Sequence, residues 1–150
     1  AAGALAELLR PAWAAGASVC VAKLAKANGE NAQVSFFPAT QQWVLCSKNV
    51  ALLAGSPGEA LLPQWADRRY RFAKSVAELW FQQLGLLDEE RQHALREVLS
   101  ARTLVGELLG GAAHLVEHPG PAALRWFAVV PHEGDEPCWP PGRALRLLGR

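Results

Sequence analysis

The 150 residues are about half hydrophobic, and fifteen basic side chains against fourteen acidic ones leave a formal net charge of +1. That balance excludes a polyanion-binding field spread over the whole chain, so any contact with nucleic acid has to be local. The length suits one domain with its own core, and three cysteines without a Cys-x-x-Cys spacing exclude a disulfide scaffold and point to buried thiols in a reducing, intracellular compartment.

The apolar start, residues 1–9 and 12–22, is interrupted by Arg10-Pro11 and Gly16. It neither reaches the roughly 18–20 residues of a membrane span nor carries the basic leader of a signal peptide. Ser18 to Ala25, small and β-branched, predicts a strand, and Asn28-Gly29 predicts a tight turn because both residue types tolerate positive φ. Ala32 to Phe37 alternates as a second strand and Trp43 to Lys48 reads as a third, which makes an antiparallel meander. Ala54-Gly55-Ser56-Pro57-Gly58 is a loop. Trp65 to Gln83 predicts an amphipathic helix with its aromatics towards the core and Arg68, Arg69, Arg71 and Lys74 on a solvated face. The same basic cluster, interleaved with Tyr70 and Phe72, also has the composition of a local RNA contact. Asp88 predicts the N-cap of a second helix, with Glu89-Glu90 in its first turn and Ala94, Leu95, Val98 and Leu99 as its apolar face. Thr103 to Leu108 and Leu124 to Val130 read as further strands, and Pro119-Gly120-Pro121 and Pro140-Pro141-Gly142 as turns. The predicted fold is α+β, mainly antiparallel, with a helical pair inserted between the third and fourth strands.

Lysine is scarce: Lys23, Lys26, Lys48 and Lys74 stand against eleven arginines, and three of the four lie in one region. Within it, Lys26-Ala27-Asn28-Gly29-Glu30 places an amine three residues before a glycine, which leaves room for a phosphate or sugar to approach. A lysine amine, with an unperturbed pKa of about 10.4, becomes nucleophilic only when desolvation or nearby cations lower that value. Lys48 and a metal ion are candidates for those cations. Lys23, three positions from Lys26, would face the other side of an extended strand.

These residues resemble the covalent nucleotidyltransferase superfamily of polynucleotide ligases and messenger-RNA capping enzymes, whose signature is Lys-x-Asp/Asn-Gly. The Asn form is most similar to the RNA ligases, particularly the adenylyltransferase domain of transfer-RNA ligases and their phage relatives. Ser47-Lys48, the Gly106-Glu107 strand and the Trp126-Phe127 strand follow in family order. The resemblance, covering roughly Val19 to Val130, implies an ATP-grasp-like ligase domain in which Lys26 carries the nucleotide and Lys48 assists at the phosphates. It further implies that Asn28, Gly29 and Glu30 complete the nucleotide-binding signature, that Glu107 reaches the ribose, and that Trp126 or Phe127 stacks on the base. ATP and magnesium are the implied cofactors, RNA is the implied partner in the full-length protein, and no residue is assigned as a metal ligand. Strand alternation lets only one of the two aromatics face a pocket.

Past Val130 the sequence departs from the family. Glu133-Gly134 runs into Asp135-Glu136-Pro137, a turn rather than an apolar strand, and no lysine follows Lys74, so the family's closing Lys-x-Lys strand is missing. With no methionine and a start at Ala1-Ala2-Gly3, the chain reads as the front part of a longer domain, or as a divergent member that does not complete the reaction. The alternative function is a non-catalytic nucleotide- or RNA-binding module that kept the fold. Singly, Lys26 and Lys48 read as solvated charges beside turns, Glu107 as a strand residue and the aromatics as core. His114-Leu115-Val116-Glu117-His118 matches a zinc-peptidase pattern, but Gly110-Gly111 and Pro119 leave under two helical turns for it, and a short strand is the better reading.

Overall fold

The computed structural model describes residues 2–17, 28–110, 120–134 and 136–148. A helix, α1 (Ala2–Ala14), comes first, with Pro11 inside it and Trp13 69% exposed. The strands β1 (Glu30–Phe37), β2 (Gln42–Cys46) and β3 (Ala51–Ala54) follow as a meander. Three short 3-10 turns lead to α2 (Arg71–Gly85) and α3 (Glu89–Leu99), and the chain returns through β4 (Arg102–Leu109), β5 (Ala123–Pro131) and a short α4 (Pro141–Leu147). The five strands form one antiparallel sheet in the order β3-β2-β1-β4-β5. The fold is α+β, with α2 and α3 inserted between the third and fourth described strands. Among the described residues no helix is long and apolar enough to cross a membrane.

Period-two patterning decides which face is buried. Ala32, Val34 and Phe36 of β1, Trp43 and Leu45 of β2, Leu52 and Ala54 of β3, and Leu104 and Leu108 of β4 all turn to one side. The helices cover that side with their own stripes. In α2 these are Ala73, Val76, Ala77, Trp80 and Leu84, at the spacing of one helical face, and in α3 Leu95 and Leu99. Four rings run through this layer edge to face: Phe36 to Trp43 at 4.9 Å, Trp43 to Trp80 at 4.9 Å and Trp80 to Trp126 at 5.9 Å between centroids. A ring of this size buries about 150–250 Å², worth roughly 4–6 kcal/mol at about 25 cal/mol per Å². The Trp80 Nε1 has no hydrogen-bond partner, which costs about 1–3 kcal/mol, so packing wins. The Trp126 indole fares better, donating to Gln83 Oε1 at 2.9 Å.

Local chemistry sets the ends of the elements. Asp88 caps α3 as its side chain accepts from the Arg91 N–H at 2.8 Å, as the sequence predicts. The helix expected from Trp65 begins only at Arg71, because Pro63 and the Asp67 side chain, which accepts from the Arg69 N–H, hold the preceding residues in 3-10 turns. β3 is absent from the sequence reading, being four residues long with no charged or β-branched member to mark it. Pro140-Pro141-Gly142 starts a helix rather than a turn, since proline at the first helical position needs no N–H partner. The strand predicted at Ser18 to Ala25, Cys20, and the His114 to His118 pattern lie outside the described residues.

Two carboxylates secure the periphery. Glu59 accepts from the Gly55 N–H at 2.8 Å and from Gln42 Nε2 at 3.0 Å, closing the loop after β3 onto β2. Glu136 pairs with Arg102 at 2.6 Å, and the Arg102 and Arg143 guanidiniums lie over the Trp139 ring, whose backbone bridges to Val129. The segment after β5 is thereby fixed against the sheet edge.

Replacing Trp80 by alanine is expected to cost about 3–5 kcal/mol in urea unfolding. Leu86→Ala, at a side chain 84% exposed, should stay within about 0.5 kcal/mol of wild type. Acid sensitivity gives a second check. The Gly55 N–H first and the Gln42 amide second hold the Glu59 carboxyl below the usual carboxylate range. Its contribution is therefore complete above the unfolded value of about 4.3 and disappears as pH falls through the lowered one. The stability difference between wild type and Glu59→Gln should shrink as the pH is brought down to about 3.

Candidate functional site

Antiparallel pairing brings the start of β1, the end of β2 and the end of β4 to one end of the sheet. Glu30 lies opposite Leu108 and Asn31 opposite Glu107, while Glu107 faces Arg125 on its other flank. Directly opposed residues share a face, so Asn31, Glu107 and Arg125 form a row on the side of the sheet away from α2 and α3. Gln33 extends it, donating to Asn31 Oδ1 at 2.9 Å.

The Asn-Gly element is tied to this row. Asn28 has φ 54°, the left-handed conformation that asparagine tolerates, while Gly29 has no positive φ; the strand expected before this pair lies outside the described residues. Gly29 is needed for closeness. A Cβ there would lie 2.5 Å from the Leu108 carbonyl oxygen and 2.6 Å from Leu109 Cδ2. The close approach lets the Gly29 N–H donate to Glu107 Oε2 at 3.0 Å, across 78 residues of sequence. This carboxylate is half-buried and makes no ion pair with Arg125. Its other oxygen retains acceptor capacity.

Of the residues singled out in the sequence, Asn28, Gly29 and Glu107 come together. Glu30 adjoins them, but it has the strand parity of Ala32 and belongs to the other side of the sheet. Lys48 stands exposed in the turn closed by the Ser47 N–H to the Val50 oxygen, at the same end as Gly29 and one strand further out. Lys26 lies outside the described residues.

The two aromatics separate. Trp126, opposite Gly106, is 6% exposed and locked between Trp80 and Gln83 on the helix side, so it is not a wall of the Glu107 face. The Gly106 position has to be a glycine because a Cβ would meet the Arg125 carbonyl and lie 2.6 Å from the Trp126 ring. Val105 pairs with Ala128, which leaves Phe127 as the extra residue of a β-bulge, half-buried and outside the core cluster.

Sequence reading missed Asn31, Gln33 and Arg125. Their signal is parity alone: Asn31 and Gln33 are two apart on the face opposite the apolar series of β1, and Arg125 alternates with the apolar Leu124 and Trp126. Cys46, on the same face opposite Gln33, has its thiol pushed up by burial, which disfavours the thiolate and any nucleophilic role. Among the described residues no group of three or more His, Cys, Asp and Glu is placed to hold a metal ion. Chemically the row offers a carboxylate acceptor for hydroxyls beside the Arg125 cation, with the amides of Asn31 and Gln33 as neutral partners.

Comparison with protein-family models, with curated proteins and with solved structures finds no match to this chain.

Gly29→Ala is expected to destabilise by about 1–3 kcal/mol through overpacking against β4. Glu107→Ala should cost a similar amount, about 1–3 kcal/mol, by leaving the Gly29 N–H unpaired. Since both break one contact, the double variant measured by denaturant unfolding should fall short of the sum.

Proposed function

We propose that this chain belongs to an ATP-dependent, RNA ligase-like nucleotidyltransferase that forms a covalent lysyl-adenylate on Lys26. The observation that carries the proposal is the Gly29 N–H to Glu107 hydrogen bond. It joins the glycine of Lys-x-Asn-Gly to the acid of the Gly-Glu strand, so that β1–β4 pairing holds the two signature elements at one place across 78 residues of sequence. Lys48 at the same end of the sheet adds support.

In this proposal the Lys26 nitrogen attacks the α-phosphorus of ATP, a P–N bond forms as the bond to the bridging oxygen breaks, and pyrophosphate leaves while the amine gives up its proton. Glu107 accepts from the ribose hydroxyls with the oxygen not held by Gly29. Lys48 and Arg125 offset charge on the phosphate oxygens, and magnesium, when bound, adds to that neutralisation. Phe127 takes the base-stacking role, since Trp126 is committed to the core. RNA is the nucleotide acceptor.

A second reading, a non-catalytic nucleotide- or RNA-binding module, draws on the lack of lysine after Lys74 to orient a triphosphate. Orientation is worth about 7–11 kcal/mol in such steps, so its loss would abolish transfer.

Incubating the full-length protein with magnesium and ATP labelled at the α-phosphate separates the two. An acid-labile label on the protein, abolished by Lys26→Ala and cut at least about tenfold by Glu107→Ala, is the expected result. Label that survives Lys26→Ala would overturn the assignment, and ATP binding without any label would favour the module.

A further inference from the structure

Four cations are concentrated in one short segment that leads into and opens α2. Asp67 starts a turn by accepting from the Arg69 N–H at 2.8 Å, and the 3-10 segment Arg68–Tyr70 runs directly into α2. Arg68, Arg69 and Arg71 are exposed and Lys74 is half-buried. None of the four forms an ion pair among the described residues, although Glu78 stands one helical turn beyond Lys74. The positive end of a helix disfavours cations in its first turn, and Arg68, Arg71 and Lys74, three apart along the chain, repel one another. α3 shows the opposite arrangement, with Glu89 and Glu90 in its first turn. Since the chain as a whole is only +1, the field at Arg68 to Lys74 is a local feature.

The aromatics between these cations organise them. The Arg69 guanidinium carbon lies 4.8 Å from the centre of the Tyr70 ring and the Arg71 carbon 4.5 Å from that of Phe72, while Trp65 packs edge-on against Tyr70 at 5.2 Å. Arg69 Nη2 also donates to the Tyr70 hydroxyl at 3.1 Å, which holds that guanidinium in place, and the other N–H groups of the two arginines suit phosphate oxygens. Cations three residues apart at Arg68, Arg71 and Lys74, with the ring-backed guanidiniums of Arg69 and Arg71 in the same segment, suit a flexible chain of phosphates better than a single anion.

We infer that the Arg68 to Lys74 strip binds the phosphate backbone of single-stranded RNA. The strip lies on the helix layer, whereas Glu107 occupies the other side of the sheet, so this contact holds the body of a polynucleotide away from the proposed lysine chemistry. It supplies the RNA surface that the proposed function requires, and it does not depend on Lys26.

Fluorescence anisotropy of a labelled oligouridylate of about 20 nucleotides, without ATP, tests this on the full-length protein. Wild type should bind with an affinity that falls with salt. Arg68→Gln, Arg71→Gln and Lys74→Gln combined should weaken binding at least about tenfold and flatten the slope of log K against log salt by about 2, or about 0.7 for each lost phosphate contact. An equal-charge control, Arg91→Gln, Arg96→Gln and Arg146→Gln, should bind nearly as wild type does. Lys26→Ala should also retain binding, even if it abolishes nucleotide transfer. No binding by wild type, equal losses in both triple variants, loss in Lys26→Ala, or a preference for anionic vesicles over RNA would each overturn the inference.

Discussion

The edge-on seat of Trp80 between Trp43 and Trp126 is the contact on which the rest of the structure depends. It joins α2 to β2 in one half of the sheet and to β5 in the other, so a single side chain fixes the helix layer across four strands. The Trp80 indole N–H has no partner there, yet the area that its ring buries outweighs that loss. Gln83, one turn along α2, satisfies the Trp126 indole and sets the position of β5 relative to the helix.

Locking Trp126 in the core has consequences on both sides of the sheet. Its ring fits because Gly106 opposite has no side chain, and the bulge at Phe127 returns Val129 to the core after an odd count of residues. The next acid along β4, Glu107, then faces away from the helices and receives the Gly29 N–H. Packing on the helix-covered face thus fixes the register that assembles the polar row on the other. In an antiparallel sheet that coupling is unavoidable, because a one-residue slip would exchange the two faces.

The chain separates its charges in a similar way. Acidic side chains open α3, where the helix field favours them, and basic ones open α2, where it does not. The carboxylates that secure loops and ends, Glu59 and Glu136, act through hydrogen bonds at the periphery rather than in the core. All the buried side chains are apolar among the described residues, so the core rests on packing.

Much of the architecture was legible because it depends on local chemistry. Alternation marked β1, β2, β4 and β5, the Asp88 cap marked α3, and apolar spacing marked most of α2. β3, the delayed start of α2 and the proline-led α4 were not, since four-residue strands and 3-10 turns leave weak signals and proline serves turns and helix starts alike. At the candidate site the letters identified Gly29 and Glu107 but not a second reason for the glycine. Asn-Gly speaks only of local turn propensity, whereas the absence of a Cβ at Gly29 also serves close approach to Leu108, a strand far off in sequence. They likewise could not choose between Trp126 and Phe127, because a bulge breaks the parity from which the choice would be read. Sequence by itself determined the apolar faces of β1, β2, β4, α2 and α3, through periodicity and capping. Only the tertiary structure decided which polar residues share a face, because register joins positions as distant as Gly29 and Glu107 and is set by ring packing on the opposite side of the sheet.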